Sequence, residues 1–247
     1  MNKSSKIDEY LILIDSIMNK YKLNSEEKEE LTNLIYHIIK HQEFKRRMTK
    51  EFLHHGKTTL GEHILEDTII TYLICKKRQR KGQKIDLPLA ISIALMHDLY
   101  TDPWQTKTYK PKKFKNSHGF RHPIEAVINS LAWYPEVFSS NIDTQALIDG
   151  IIHHMYPFPT RIFKSKEINN LELKNYELIS SIDKKYLDII ITSTKRGKIG
   201  QYSFAKPYSK EGRIVSKADK IASTHDFDSI RSVIACLGIN TKKLEKN

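Results

Sequence analysis

Residues 91–104 read ISIALMHDLYTDPW, and this stretch decides the fold. Ile91, Ile93, Ala94, Leu95 and Met96 form an apolar helical run that delivers His97 and Asp98 side by side. Pro103 and Trp104 follow, so the helix ends soon after the pair. Burying an ionised carboxylate is costly unless a cation or hydrogen-bond donors compensate it. A metal ion does so naturally, because imidazole and carboxylate are both ligands for Zn, Mn or Fe. The plain alternative is a helix end that carries two polar residues into solvent. Partners elsewhere in the chain decide between these readings.

Working outward, Asp86-Leu87-Pro88 supplies a cap and a first-turn proline, which places this central helix over 87–100. Before it lies EFLHHGKTTLGEHILEDTIITYLICKK, residues 51–77. Thr59 and Glu62 fit a capping box, so a helix is expected over 60–77 with His63 in its first turn. His54 and His55 stand in the preceding loop beside Gly56, a place for a phosphate to approach or a solvated turn. After the central helix comes a polar, basic loop over 103–121 that contains His118, and His122-Pro123 opens a helix over 123–133. Asp143 caps the next, over 143–155, where Leu147, Ile151 and His154 share one face. His153 lies about 100° round that helix from His154 and is the weaker inward candidate. A last helix over 212–224 places Asp219 among Ile214, Val215 and Ile221.

Two amphipathic helices, 6–22 and 25–41, precede all of this, the second capped by Asn24 or Ser25. His37 and His41 read as ordinary surface or edge residues. Residues 1–50 are therefore an N-terminal helical extension packed on a core domain over 51–240. Segment 160–210 is the least legible: YLDIIITS and KIGQYSFA flank KRG, which suits a hairpin turn or a helix and loop.

The 247 residues are ample for a real core, and no apolar run approaches a membrane span. The start, MNKSSKIDEY, has no long apolar stretch behind its charges, so no signal peptide is expected. Cys75 and Cys236 do not form a metal-spaced pair, and so few cysteines suit a cytoplasmic protein. The net charge of +12 favours polyanionic partners such as nucleotides. Basic runs at 76–81, 110–115 and 195–198 lack the interleaved aromatics of a stacking platform, and nucleic acid is not the expected partner.

His63, His97, Asp98, His122, His154 and Asp219 each fall at a helix start, a helix end or an apolar helical stripe. Four histidines and two carboxylates so placed are enough to ligate two metal ions, with Asp98 as the bridge. Open positions would remain for water and substrate, as in a catalytic site, and no cysteine suggests a structural zinc.

These residues resemble the HD-domain superfamily of metal-dependent phosphohydrolases. The resemblance rests on GEHILEDT around His63, ALMHDLYTD around His97-Asp98, HGFRHP around His122, GIIHHMYP around His154 and IVSKADK around Asp219. Their order is that of the two-metal members, and the core signature covers roughly residues 51–225. HHGKTTLGEH, with HGFRHP and HHMYP, is similar to a bacterial subgroup of HD proteins. Two better-known activities are disfavoured by departures in this chain. Guanosine-polyphosphate hydrolases carry Glu-Asp after the HD, where this chain has Thr101-Asp102. Cyclic-dinucleotide phosphodiesterases of the Gly-Tyr-Pro type carry a motif this chain lacks.

The resemblance implies an all-α helical bundle with the N-terminal helical pair and the 160–210 insertion as additions. It also implies two divalent ions (Mn, Fe, another transition metal or Mg) and a small phosphorylated substrate, a nucleotide or similar molecule, attacked by metal-activated water. Asp98 or Asp219 would orient the attacking hydroxide. His118 and Arg121 would act on the phosphoryl group, with His55, Arg213 and Lys220 as further substrate contacts. Two other classes stay open: a di-iron oxygenase using the same six ligands, and a non-catalytic nucleotide sensor.

Overall fold

Four helix starts are written locally, each by a side chain that accepts from an amide three residues on. Asn24 accepts from Glu27, Thr59 from Glu62, Asp86 from Leu89 at 3.0 Å and Asp143 from Ala146 at 2.9 Å. The first two are full capping boxes. These caps begin four of the ten helices that a computed structural model shows among the described residues, which are 3–54, 58–103, 117–162 and 182–226.

The N-terminal pair is α1 (Lys3–Lys20) and α2 (Ser25–Ile39), followed by the short α3 (Gln42–Arg47). Then come α4 (Leu60–Gln79) and α5 (Leu87–Met96). Next are α6 (His118–Trp133), the single turn α7 (Pro135–Phe138) and α8 (Thr144–Ile152). Two-residue strand β1 (Thr160–Arg161) precedes α9 (Lys184–Lys195), β2 (Lys198–Ile199) and β3 (Tyr202–Ser203). The last element among the described residues is α10 (Lys210–Asp226). The architecture is all-α as expected, with a small antiparallel sheet of order β1-β3-β2 beside it.

Helix α5 is the axis. Every one of its residues from Leu87 to Met96 except the exposed Pro88 is buried, with α4, α10, α8 and α2 packed around it. A helix apolar on all sides belongs inside a bundle. Two glycines let its neighbours close in. A Cβ on Gly150 of α8 would meet Ile93 of α5 at 2.7 Å, and one on Gly212 of α10 would lie 3.1 Å from the Gly150 Cα. Helices α8 and α10 thus approach backbone to backbone, and the Ile93 side chain of α5 packs directly onto the α8 backbone. Helices α1 and α2 contribute Ile14, Met18, Leu31, Ile35 and Ile38 to the same continuous core.

Three boundaries near the polar cluster differ from expectation, the first for a tertiary reason. Helix α5 stops at Met96 and not near 100. The Tyr100 N–H turns back to the Asp98 carbonyl at 2.8 Å. The Leu99 carbonyl accepts from Asn129 of α6 at 2.6 Å, and the Tyr100 carbonyl from Arg47 of α3. Helix α6 starts at His118, one turn before the expected 123, so Pro123 lies inside it. Near a helix start the lost N–H is cheap, because the first amides lack intrahelical partners anyway. Helix α8 ends at Ile152, leaving His153 as its cap and His154 beyond it.

Within 160–210 the structure shows both of the forms considered. YLDIIITS is helical, in α9, and the hairpin that follows turns at Gly200-Gln201 and not at KRG. Asp149 of α8 anchors this addition. It is fully buried, pairs with Arg196, and accepts from the Tyr208 N–H at 3.0 Å. Residues 163–181 lie outside the described residues.

Candidate metal centre

The six expected donors arrive from five packed elements. His63 stands in the first turn of α4, His97 caps the end of α5 and Asp98 follows it. His122 lies in α6, His154 just past α8, and Asp219 within α10. All six are buried, none more than 7 % exposed.

Asp98 divides them into two groups. Its Oδ1 lies 3.2 Å from His122 Nε2 and 3.6 Å from His154 Nε2. Its Oδ2 lies 3.7 Å from His97 Nε2 and 3.9 Å from His63 Nε2. Asp219 Oδ1 completes the second group, at 3.3 Å from His63 and 3.7 Å from His97. The expected convergence is therefore present for the whole set.

The proton positions give the cluster its chemical sense. His97 Nδ1 is 2.7 Å from the Ala94 carbonyl, His122 Nδ1 3.1 Å from that of His118, and His154 Nδ1 2.7 Å from that of Ile151. A carbonyl only accepts, so each Nδ1 carries the proton and each neutral ring turns an Nε2 lone pair inward. Metal-ligating histidines are held in this way, the far nitrogen donating to a backbone carbonyl. His122 Nε2 and His154 Nε2 then face each other at 3.1 Å beside a carboxylate oxygen. Between two neutral rings such a contact is repulsive unless a cation, a metal ion or a proton, lies between its members. Among the described residues, His97 Nε2 and Asp98 Oδ1 are also buried with no hydrogen-bond partner. The donors fit a metal ion, and three groups of them lie close enough to hold one: His54, His63 and Asp98; His63, His97 and Asp219; and His97, Asp98 and His154.

The charges respond to this crowding. Burial pushes the Asp98 carboxyl up, but the His97 and His122 imidazoles outweigh it and hold the group well below the usual carboxylate range. Asp219 is lowered likewise, against burial, by the hydrogen bond from His63 and by His97 and His154. Burial and the neighbouring His97 push His154 down to about 3, so it stays a neutral donor. Burial lowers His122 too, but Asp98 beside it reverses the direction and raises it. Ionised carboxylates and neutral imidazoles are the forms that bind metal.

Two residues of the site escaped the sequence reading as ligand-set members. His54, buried, places Nε2 3.5 Å from Asp98 Oδ2 and stacks on His63 with ring centroids 3.7 Å apart. Asp67 is fully buried one turn beyond His63 and sets Oδ2 3.4 Å from His97 Nδ1. The signal for Asp67 was its i+4 spacing from His63 on an otherwise apolar helix face. Burial and the charge of Asp219 push its carboxyl well above the usual range.

The residues expected to meet substrate are placed less uniformly. His118 is buried, stacks on His122 at 4.8 Å and meets the Tyr100 ring edge-on at 4.4 Å. Its carbonyl orients His122. Arg121 pairs with Glu125 at 2.9 Å. Arg213 is exposed and donates to the Ser209 and Tyr208 carbonyls at the start of α10. Lys220 turns back one turn to the Ser216 carbonyl at 2.7 Å. His55 lies outside the described residues. His153, the weaker of the adjacent pair, donates from Nε2 to the Ser193 carbonyl at 3.1 Å and so ties α9 to α8.

The basic run at 76–81 is partly answered within the fold: Lys76 pairs with Glu30 and Arg80 with Glu27, at 2.9 and 3.0 Å. No helix of the described residues is long and apolar enough to cross a membrane. No family model matches the chain, and no curated protein or solved structure matches it.

Proposed function

We propose that this chain is an HD-type metal-dependent phosphohydrolase in which His63, His97, Asp98, His122, His154 and Asp219 would hold two divalent ions, and that it cleaves a phosphate ester of a nucleotide or similar small molecule. One observation carries the reading: two imidazole nitrogens face each other at 3.1 Å beside Asp98 Oδ1, while His63, His97 and Asp219 gather on the Oδ2 side. When bound, such ions lower the pKa of a coordinated water and polarise the phosphoryl oxygens.

The protein's own part is preorganisation. Backbone carbonyls lock the tautomers of His97, His122 and His154, so their lone pairs need no reorientation when ligand arrives. Asp98 and Asp219, held ionised, orient the attacking water by accepting its hydrogen bond. Arg121 and His118, on the first two turns of α6, would stabilise the charge that develops on the phosphoryl group. Glu125 holds the Arg121 guanidinium in place. The surplus of positive charge over the whole chain draws an anionic substrate inward.

The test is elemental analysis of Mn- or Fe-loaded protein beside a panel of phosphomonoesters and phosphodiesters. The expected result is about two equivalents per chain, with phosphate release that His97→Ala abolishes while the helical circular dichroism persists. Protein that takes up neither metal, or full turnover in His97→Ala, overturns the reading. Oxygen consumption by the iron form without phosphate release would make it an oxygenase instead.

A further inference from the structure

The donors on the two sides of Asp98 are unequal once His54 is included. His54 Nε2 lies 3.5 Å from Asp98 Oδ2, on the same side as His63 and away from the pair that faces Oδ1. Its ring lies nearly parallel to that of His63, at 22°. The candidate donor atoms of His54, His63 and Asp98 all fall within 4.8 Å of one another. A separation of 3.5 Å is at the outer edge of a hydrogen bond. Adjacent ligands about 2.1 Å from a common ion are typically about 3.0–3.5 Å apart, so the same distance is ordinary for two donors sharing a metal.

The backbone places His54 there by local means. Its N–H donates to the Thr58 carbonyl at 2.8 Å, and Leu53 pairs with Thr59 across an antiparallel bridge. Thr59 is also the cap of α4, so the segment bearing His54 is fastened to the helix turn that presents His63. The two imidazoles are set as a unit.

We infer that His54 is a further protein donor to the ion on the Oδ2 side, which makes the two ions functionally distinct. This inference rests on the two-ion reading above. The Oδ2 ion then has His54, His63, His97, Asp98 and Asp219, nearly filling an ion of about six positions. The Oδ1 ion has only His122, His154 and Asp98 and keeps about three positions open. The first is the tightly held ion, and the second is the exchangeable one at which phosphoryl oxygens bind.

The experiment measures metal, not turnover. Wild type, His54→Phe and His54→Gln are loaded with Mn(II) and titrated against a fluorescent chelator, with elemental analysis after desalting. Phenylalanine keeps the ring stack on His63 without a donor nitrogen, and glutamine keeps a polar group, so packing and coordination are separated. Wild type should show two affinities, with about one equivalent surviving desalting. Both variants should fold, judged by circular dichroism of the metal-free protein. Both should weaken the tight ion by at least about tenfold and change the weak one little. A tight ion unchanged in either variant, or weakening confined to the exchangeable ion, overturns the role of His54 and leaves two-ion binding standing. A wild type that binds no Mn(II) overturns the two-ion reading itself, and His54 with it.

Discussion

The two sides of Asp98 are built from different kinds of support. On the Oδ2 side, His63 and Asp219 belong to α4 and α10, long helices packed along each other and along α5. On the Oδ1 side, His122 sits in the second turn of α6 and His154 beyond the end of α8, each oriented by a backbone carbonyl at a helix terminus. The first group rests chiefly on packing over several turns, with His97 alone set by a helix-end carbonyl. The second is held by short-range hydrogen bonds at both of its histidines and by the close approach of α8 at Gly150. The two halves should therefore differ in how strongly their loss affects the core.

The largest effect should come from breaking what the halves share. Asp98→Ala removes the carboxylate that lies within 4 Å of both groups, and both metal equivalents should leave on desalting. Activity should fall by more than about 10²-fold, the loss typical of removing one transition-state contact. Elemental analysis beside a rate assay checks this, and one equivalent retained in Asp98→Ala would make the two halves independent sites.

Next comes a change to one side only. The His122→Ala, His154→Ala double variant should retain at most one equivalent, with activity lost by more than about tenfold and the melting temperature of metal-free protein nearly unchanged. Native mass spectrometry counts the ions. A double variant that still holds two equivalents would place these histidines behind a mononuclear centre.

Asp67 sharpens the contrast from the opposite side. Its carboxyl, 3.4 Å from His97 Nδ1, supports a ring that also donates to Ala94, and partners of ligating histidines commonly contribute about 10- to 100-fold in metal affinity. Asp67→Asn should weaken the Oδ2 ion within that range and leave the Oδ1 ion alone. Equal weakening of both would show that Asp67 acts through the core as a whole.

The smallest effect is a pH dependence of the metal-free protein. His154 has its pKa lowered to about 3 from 6.5, chiefly by burial. Between those values the unfolded chain takes up a proton that the folded one refuses, so stability falls as pH drops through that window. His97 and His153, also lowered, act in the same direction. His122, raised, opposes them: its contribution is complete at low pH and disappears as pH rises through its folded value. Thermal unfolding in excess chelator should therefore show a lower midpoint at pH 5 than at pH 7. His154→Asn should flatten the change, and an unaltered slope would mean that His154 does not titrate in folding.

The sequence by itself determined where four of the ten described helices begin and which side chains could bind metal. The caps at Asn24, Thr59, Asp86 and Asp143 join residues only three apart, so local chemistry suffices to place them. The six donors were legible because histidine or aspartate on an apolar stripe conflicts with burial unless something compensates it. Tertiary structure decided the rest. The end of α5 depends on carbonyls taken by Asn129 and Arg47, from helices far away in sequence. Arg213 and Lys220 are diverted to nearby carbonyls, and His54 gains its place only because Asp98 is brought to it from 44 positions further along the chain. Such contacts join groups distant in the chain. Their geometry depends on how closely α5, α8 and α10 pack, which no local pattern of residues encodes.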